Sequence, residues 1–209
     1  MGEQPYRLPI LLGAADGYVG RSRKAVTIFT HLLSTKIFTM SLLIKYLALC
    51  WFINNPADLV PPKSFMWKTV VFYLISGCIV EGLIADPADG SLEVLLRTIM
   101  AFTSIAMFLL ITKKWHYFNQ LFTAIFVCEN FIMTLAIAAE ALDFLMVMNK
   151  EEYREEISIG LAVLLVGWYL AIVSYIFRQL LSYKMSASVI SAFAYFVLTY
   201  GLPMLVMDI

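Results

Sequence analysis

Five apolar segments, each long enough to cross a lipid bilayer, constrain the fold of this chain more than any other feature. A transmembrane helix needs about 20 mostly apolar residues, and short polar breaks separate the segments from one another. Of the 209 residues, 61% are hydrophobic and 14% are charged, which is too few charges to cover a water-facing surface. The sequence therefore predicts an all-α integral membrane protein with a five-helix transmembrane bundle. The segments are approximately residues 66–85, 92–112, 117–148, 157–181 and 187–207.

A sixth apolar stretch, residues 37–53, is shorter than a typical span and contains Lys45. The basic residues decide between five and six spans, because Lys and Arg collect on the cytoplasmic side of a membrane. With five spans and a cytoplasmic N-terminus, only three of the 15 basic residues fall on the outer half: Arg97, Lys150 and Arg154. This distribution predicts a cytoplasmic N-terminus and an outer C-terminus. The alternative that residues 37–53 form an ordinary first span stays open.

Residues 23–53 show the pattern of an amphipathic helix that lies in the cytoplasmic membrane interface. Polar residues recur there at roughly helical spacing, and apolar residues fill the other side. We therefore expect a mobile cytoplasmic tail (1–22), an interfacial amphipathic helix with a proline-rich loop (23–64) and a five-span membrane domain (65–209). Basic side chains in the interface attract anionic lipid headgroups. The residues concerned are Arg21, Arg23, Lys24, Lys36 and Lys45.

Ionisable residues inside the predicted spans are candidates for function, because a charge in hydrocarbon is costly. With the orientation above, four of them reach about the same level in the outer half of the membrane. One interpretation is a structural ion-pair network in which the arginine bridges two or three acids. A second is a polar vestibule, open to the outer side, for an ion or a small solute. A third places some of the acids at the level of the headgroups. The four residues are Glu81, Arg97, Glu140 and Asp143.

Glu129 lies midway along the third span, next to Asn130, and no basic residue is obviously level with it. It precedes Glu140 by eleven residues, which is three helical turns plus about 20°, so both acids face nearly the same way. We expect either a protonated carboxyl group that is hydrogen-bonded to a neighbouring helix, or a proton- or cation-coupled site.

Two stretches of the sequence resemble the Yip-domain family of membrane proteins. Residues 58–62, Asp-Leu-Val-Pro-Pro, stand just before the first span, where that family carries an Asp-Leu-x-Gly-Pro type motif. Residues 168–173, 176–178 and 196–199 are similar to bacterial Yip-like proteins. The resemblance covers about residues 37–207 and implies five closely spaced spans after a cytoplasmic N-terminal part. It also implies a protein that acts through partners and has no catalytic residues.

The chain shows no pattern typical of a metal site or of nucleic-acid binding. Cys50, Cys78 and Cys128 lie in apolar runs without metal-ligand spacing, and the two histidines, His31 and His116, are far apart. Nor does a Lys/Arg block interleave with a polar surface. We therefore expect no metal, no cofactor and no nucleic-acid partner.

The functional expectation follows from the tight connection of the spans and from the lack of a nucleophile–base pair in any loop. These features favour a non-enzymatic scaffold, assembly factor or trafficking-type adaptor. Its expected partners are membrane lipids and either another membrane protein or a second copy of the chain. The resemblance implies a bacterial inner membrane. The alternative is a small transporter or channel subunit that uses Glu129 and the outer acidic cluster.

Overall fold

The computed structural model describes residues 39–84, 86–150 and 153–207. The chain divides into two units, Met1–Ser41 and Leu42–Ile209; of the first, the structure describes only residues 39–41, which are helical. Six helices account for most of the described part. They are α1 (Thr39–Trp51), α2 (Lys63–Ile84), α3 (Pro87–Ile111), α4 (Phe118–Asn149), α5 (Arg154–Leu181) and α6 (Met185–Met207).

Among the described residues, helices α2 to α6 are the five that are long and apolar enough to cross a membrane. Each of them leaves large apolar side chains on the outside of the bundle, which is the surface that lipid covers in a membrane protein. The predicted all-α, five-helix membrane fold is confirmed, and the chain is an integral membrane protein. Examples of these outward-facing side chains are Phe72, Ile99, Phe144, Leu164 and Ile190.

Local sequence determines where the spanning helices begin and end. Asp86 caps α3, because its side chain accepts a hydrogen bond of 2.9 Å from the backbone N–H of Ala88, and Pro87 occupies the first helical position. Helices α4 and α5 end at Lys150 and Ser182, whose φ angles of 54° and 56° are left-handed and stop the helix. The short polar breaks in the sequence are therefore the turns of the bundle.

The connections at one end of the bundle touch one another, and we call this the proline-loop end after residues 54–62. Gln120, at the start of α4, donates a hydrogen bond of 3.2 Å to the carbonyl oxygen of Ala57. Lys114 donates one of 3.2 Å to the hydroxyl of Ser182, across the turns that precede α4 and α6. The opposite end holds the α2–α3 and α4–α5 turns, and we call it the Asp86 end.

Helix α4 forms the centre of the bundle, but only over its first half. Every residue from Gln120 to Asn130 is buried, so the helix is surrounded on all sides there. Beyond Met133, the one buried residue of α4 is Met146. The neighbouring helices therefore enclose α4 at the proline-loop end and leave it partly uncovered toward the Asp86 end.

Helix α1 is too short to span a bilayer and packs against the proline-loop end. Tyr46, Leu49 and Cys50 are fully buried. The Tyr46 hydroxyl donates a hydrogen bond of 3.1 Å to the carbonyl oxygen of Leu59, and burial raises the pKa of this hydroxyl above its usual range. Trp168 of α5 donates a bond of 3.0 Å to the carbonyl oxygen of Cys50. These contacts attach the segment before the first span to helix α5.

The predicted interfacial position of the N-terminal segment stays a prediction. Lys45 is exposed on α1, as a residue near headgroups would be. The tail 1–22 and the first part of the 23–64 segment, up to residue 38, lie outside the described residues. So do four of the basic residues proposed for headgroup binding: Arg21, Arg23, Lys24 and Lys36.

Candidate functional site: a cavity that reaches Glu129

Glu129 is buried in the middle of the bundle, and only one of its two carboxyl oxygens accepts a hydrogen bond. Glu129 is 3% exposed to solvent. The hydroxyl of Tyr169, on α5, donates a hydrogen bond of 2.5 Å to Oε1. The second carboxyl oxygen, Oε2, is buried and has no hydrogen-bond partner. The predicted hydrogen bond from Glu129 to a neighbouring helix is present. Oε2 lacks a partner within hydrogen-bond distance, and the hydroxyls of Tyr195 and Tyr200 lie close enough to interact with the carboxyl group.

Tyrosine side chains from three helices surround this carboxyl group. Tyr195 and Tyr200 of α6 lie close to it together with Tyr169, and Tyr73 of α2 is a near neighbour. The hydroxyl of Tyr195 is buried without a hydrogen-bond partner. Buried tyrosine hydroxyls normally find a partner, so two polar groups beside each other have unused hydrogen-bonding capacity.

Sequence reasoning missed these tyrosines. The signal available in the sequence was the presence of tyrosine, rather than phenylalanine, inside apolar segments. A phenolic hydroxyl in hydrocarbon needs a polar partner, and Glu129 was the evident candidate for that partner.

A π-helical segment of α6, Val197–Gly201, carries Tyr200 into the site. Pro203 follows this segment, and proline lacks the N–H that a regular helix would donate to the carbonyl of Thr199. The missing hydrogen bond at Pro203 accounts for the wider helical turn. Segments of π-helix often occur at functional sites. The Arg97 guanidinium lies over the ring of Tyr200, 5.0 Å from its centroid.

Arg97 bridges two acids, one on each side of the α2–α3 contact. Its guanidinium is 2.5 Å from the carboxylate of Glu81 on α2 and 2.5 Å from that of Glu93, four residues earlier on its own helix. The predicted bridging by Arg97 is therefore present, with Glu81 as one partner. Its Nε is buried without a partner.

Asp143 belongs to a different ion pair from the predicted one. It binds Arg154, with an Nη2–Oδ2 distance of 2.9 Å, and accepts a hydrogen bond from Ser158. The expected bridge from Arg97 to Asp143 or Glu140 is wrong, because the start of α5 brings Arg154 and Ser158 to Asp143 directly after the α4–α5 turn. Glu140 is exposed, and within the described part of the chain no ion pair is found for it.

A cavity of about 460 Å³ brings these groups together. Its polar wall includes the four residues expected at one level and also Glu129, which the sequence placed deeper in the membrane. Its other walls are mainly apolar and come from α4 and α5. Glu129 and Glu81 are buried in its wall, whereas Glu140, eleven residues beyond Glu129 on α4, is exposed. The five residues are Glu81, Arg97, Glu129, Glu140 and Asp143.

Asn130 does not line this cavity and connects α4 to α2 instead. Its side-chain amide donates a hydrogen bond of 3.1 Å to the carbonyl oxygen of Thr69. Its Oδ1 accepts one of 3.4 Å from Ser76. The adjacent polar residues Glu129 and Asn130 therefore face different neighbours, and only the glutamate belongs to the site.

Within residues 39–84, 86–150 and 153–207, no group of three or more His, Cys, Asp or Glu residues could hold a metal ion. Comparison with family models, curated proteins and solved structures found no match. The resemblance to the Yip-domain family therefore stays a prediction, and the chemistry of the cavity has to be inferred from its residues.

Proposed function

We propose that this protein is a small membrane transporter, or the solute-binding subunit of one, for cationic solutes. The observation that carries the proposal is the Glu129 carboxyl group, which lies on a cavity wall with Oε2 buried and unpartnered. A buried polar atom without a partner is costly. A cationic ligand in the cavity would supply the missing partner, so the site is suited to bind one.

The charges along the cavity support a cation rather than an anion. Four acids line it against one arginine. Arg97 is paired with Glu81 and Glu93, and Arg154, outside the cavity, is paired with Asp143, so the acids still outnumber the basic groups. A cleft with walls of low dielectric constant strengthens the potential of the charges that line it. Anions are therefore repelled, and cations are concentrated near the exposed Glu140.

The distribution of basic residues supports an orientation in which the Asp86 end faces outward. The cavity would then receive its solute from the outer side. We further propose a bacterial inner membrane as the location, on the strength of the Yip-like resemblance.

Uptake into proteoliposomes tests the proposal. The probes are radiolabelled methylammonium, tetramethylammonium, arginine and spermidine, with an imposed potential that is negative inside. We expect at least one probe to accumulate with the wild-type protein, and its uptake to fall at least about tenfold with Glu129→Gln, as for a buried charge contact that is lost. Glu156→Gln is the matched control, since Glu156 is exposed at the start of α5 and outside the cavity.

The uptake experiment can support or contradict the transporter proposal. If no probe accumulates, or if Glu129→Gln transports like wild type, the transporter proposal is wrong. A melting-temperature measurement on each variant separates loss of transport from loss of folding, and Glu140→Gln, at an exposed position, provides a second variant that should fold normally.

The adaptor function is the second proposal, and exposed apolar side chains at the proline-loop end support it. Large side chains there are 52%, 74% and 72% exposed at Trp51, Ile53 and Val60. A partner protein or the lipid surface could cover them. Purification from native membranes with and without Ile53→Ser tests this proposal. A membrane protein that co-purifies with wild type and is lost with Ile53→Ser is the expected result, and equal recovery would contradict it.

A further inference from the structure

We propose that the ligand of the cavity is a linear polyamine, a chain of methylene segments that carries an ammonium group at each end and, in the longer members, ammonium groups between the segments. The inference rests on the proposed cation-binding function and goes further by naming the chemical class. It stands on the spacing of two available carboxyl groups, on the surface between them and on the aromatic side chains beside Glu129.

Carboxyl groups with room for a new partner occur at two places on the cavity wall. Glu129, with Oε2 unpartnered, is buried. Glu140 is exposed and lacks an ion pair in the described part of the chain. The remaining lining acids, Glu81 and Asp143, are already paired with arginines. Two separate positions therefore remain for cationic groups.

The distance between these positions favours an elongated ligand. Glu129 and Glu140 are eleven residues apart on one face of α4, which corresponds to about 16 Å along the helix axis. A compact cation can reach only one of them. A chain with amines at both ends can reach both, because the cavity connects the two carboxyl groups.

The wall between the two carboxyl groups suits methylene groups. Its residues from α4 and α5 are aliphatic, with Met133, Ala136, Leu161 and Leu165 among them. Apolar surface favours alkyl carbon over water, at roughly 25 cal/mol per Å². These α4 and α5 side chains carry no oxygen, so this part of the wall offers an inorganic cation no ligand in exchange for its water.

The surroundings of Glu129 have the features that proteins use for alkylammonium groups. Tyr169 and Tyr200 pack edge to face beside Glu129, with ring centroids 6.0 Å apart. Arg97 and Phe196 already cover the ring of Tyr200. An organic cation here is therefore attracted by the charge of Glu129, with the ring of Tyr169 beside it. Arg97 does not oppose such a ligand, because Glu81 and Glu93 together leave that group with a net negative charge.

Calorimetric titration of the full-length protein in a neutral detergent tests the inference. The probes are spermine, spermidine, 1,4-diaminobutane, n-hexylamine and tetraethylammonium. We expect affinity to rise with the separation of the amines, so that spermine binds tightest. Glu129→Gln should weaken spermine binding by about tenfold or more, as for a buried charge contact. Glu140→Gln should weaken it by about two- to fivefold, as for an exposed ion pair.

The monoamine provides the matched comparison. Because n-hexylamine has one ammonium group, Glu140→Gln should weaken its binding less than it weakens that of spermine, and Glu156→Gln should leave every probe unchanged. If n-hexylamine or tetraethylammonium binds as tightly as spermine, the polyamine inference is overturned, while cation binding by the protein stands. If no cation binds, the proposed function fails as well. Equal loss of spermine affinity in Glu156→Gln would show nonspecific attraction to acidic residues and would also overturn the inference.

Discussion

Arg97 serves two carboxylates at once, one on the neighbouring helix and one a turn earlier on its own helix. Both contacts are 2.5 Å long and partly buried. In a membrane such a group is stable only as a unit, because removing one member leaves an uncompensated charge in a poorly hydrated place. The unit fixes Arg97 against Tyr200 at the cavity wall, so its stability also bears on the geometry of the candidate site.

Arg97→Gln should lower the free energy of unfolding more than the double change Arg97→Gln with Glu81→Gln. The reason is that the single change leaves Glu81 charged and unpaired. A double-mutant cycle in mixed micelles should give a coupling energy of about 0.5–3 kcal/mol. The control cycle combines Arg97→Gln with Asp143→Asn and should be additive, since Asp143 is paired with Arg154. Additivity between Arg97 and Glu81 would contradict the ion pair.

At the scale of elements, the α2–α3 contact is unusually close because glycine stands at two crossing positions. A Cβ atom added to Gly90 would lie 2.8 Å from the Cβ of Glu81 and 3.0 Å from its carbonyl carbon. One added to Gly77 would lie 2.8 Å from a methyl group of Val94. Small residues permit such approaches between membrane helices, and here the approach aligns Glu81 with Arg97.

Gly90→Ala should destabilise the protein by about 1–3 kcal/mol, as overpacking does, because the added methyl group meets backbone that cannot move aside. Gly160→Ala is the matched control. Gly160 also lies in a spanning helix, but nothing lies within 4 Å of its added Cβ atom, so only the helix propensity of alanine acts there. Reversible unfolding of both variants checks the difference. An equal effect of the two changes would show that the α2–α3 approach is not tight.

The attachment of α1 to the central helix can be tested through two native cysteines. Cys50 of α1 and Cys128 of α4 are both buried, and their thiols lie close to each other. In a Cys78→Ser background, mild copper-catalysed oxidation should therefore join them into an intramolecular disulfide. Faster migration on a non-reducing gel, reversed by dithiothreitol, is the readout. The further change Cys50→Ser should abolish the shift, and no shift in the parent would place α1 elsewhere.

For the whole molecule, an odd number of spanning helices puts the two ends of the membrane domain on opposite sides. The five helices are shown by length and composition, and the basic residues predict which side each end lies on. The orientation also decides whether the cavity receives its ligand from the cell or from outside it.

A reporter that is active only in the cytoplasm should work at the N-terminus and fail when fused after Ile209. Cysteines introduced at Gly2 and Ser64, after removal of the native ones, should both resist an impermeant thiol reagent added from outside. Labelling at Gly2 but not at Ser64 would mean that residues 37–53 cross the bilayer and that the chain has six spans. An active reporter at the C-terminus would reverse the orientation of the cavity.

The sequence by itself determined the number and the approximate limits of the spanning helices. Polar backbone and charge are costly in hydrocarbon, so each span has to be a continuous apolar helix that ends where polar residues begin. It also identified every acidic and basic residue of the cavity wall, because such residues are rare inside apolar segments. Only the tertiary structure decided their partners. Helices that are apolar nearly all round carry little information about which face meets which neighbour, so the pairing of Asp143 with Arg154 and the tyrosines around Glu129 depend on how the helices rotate and cross.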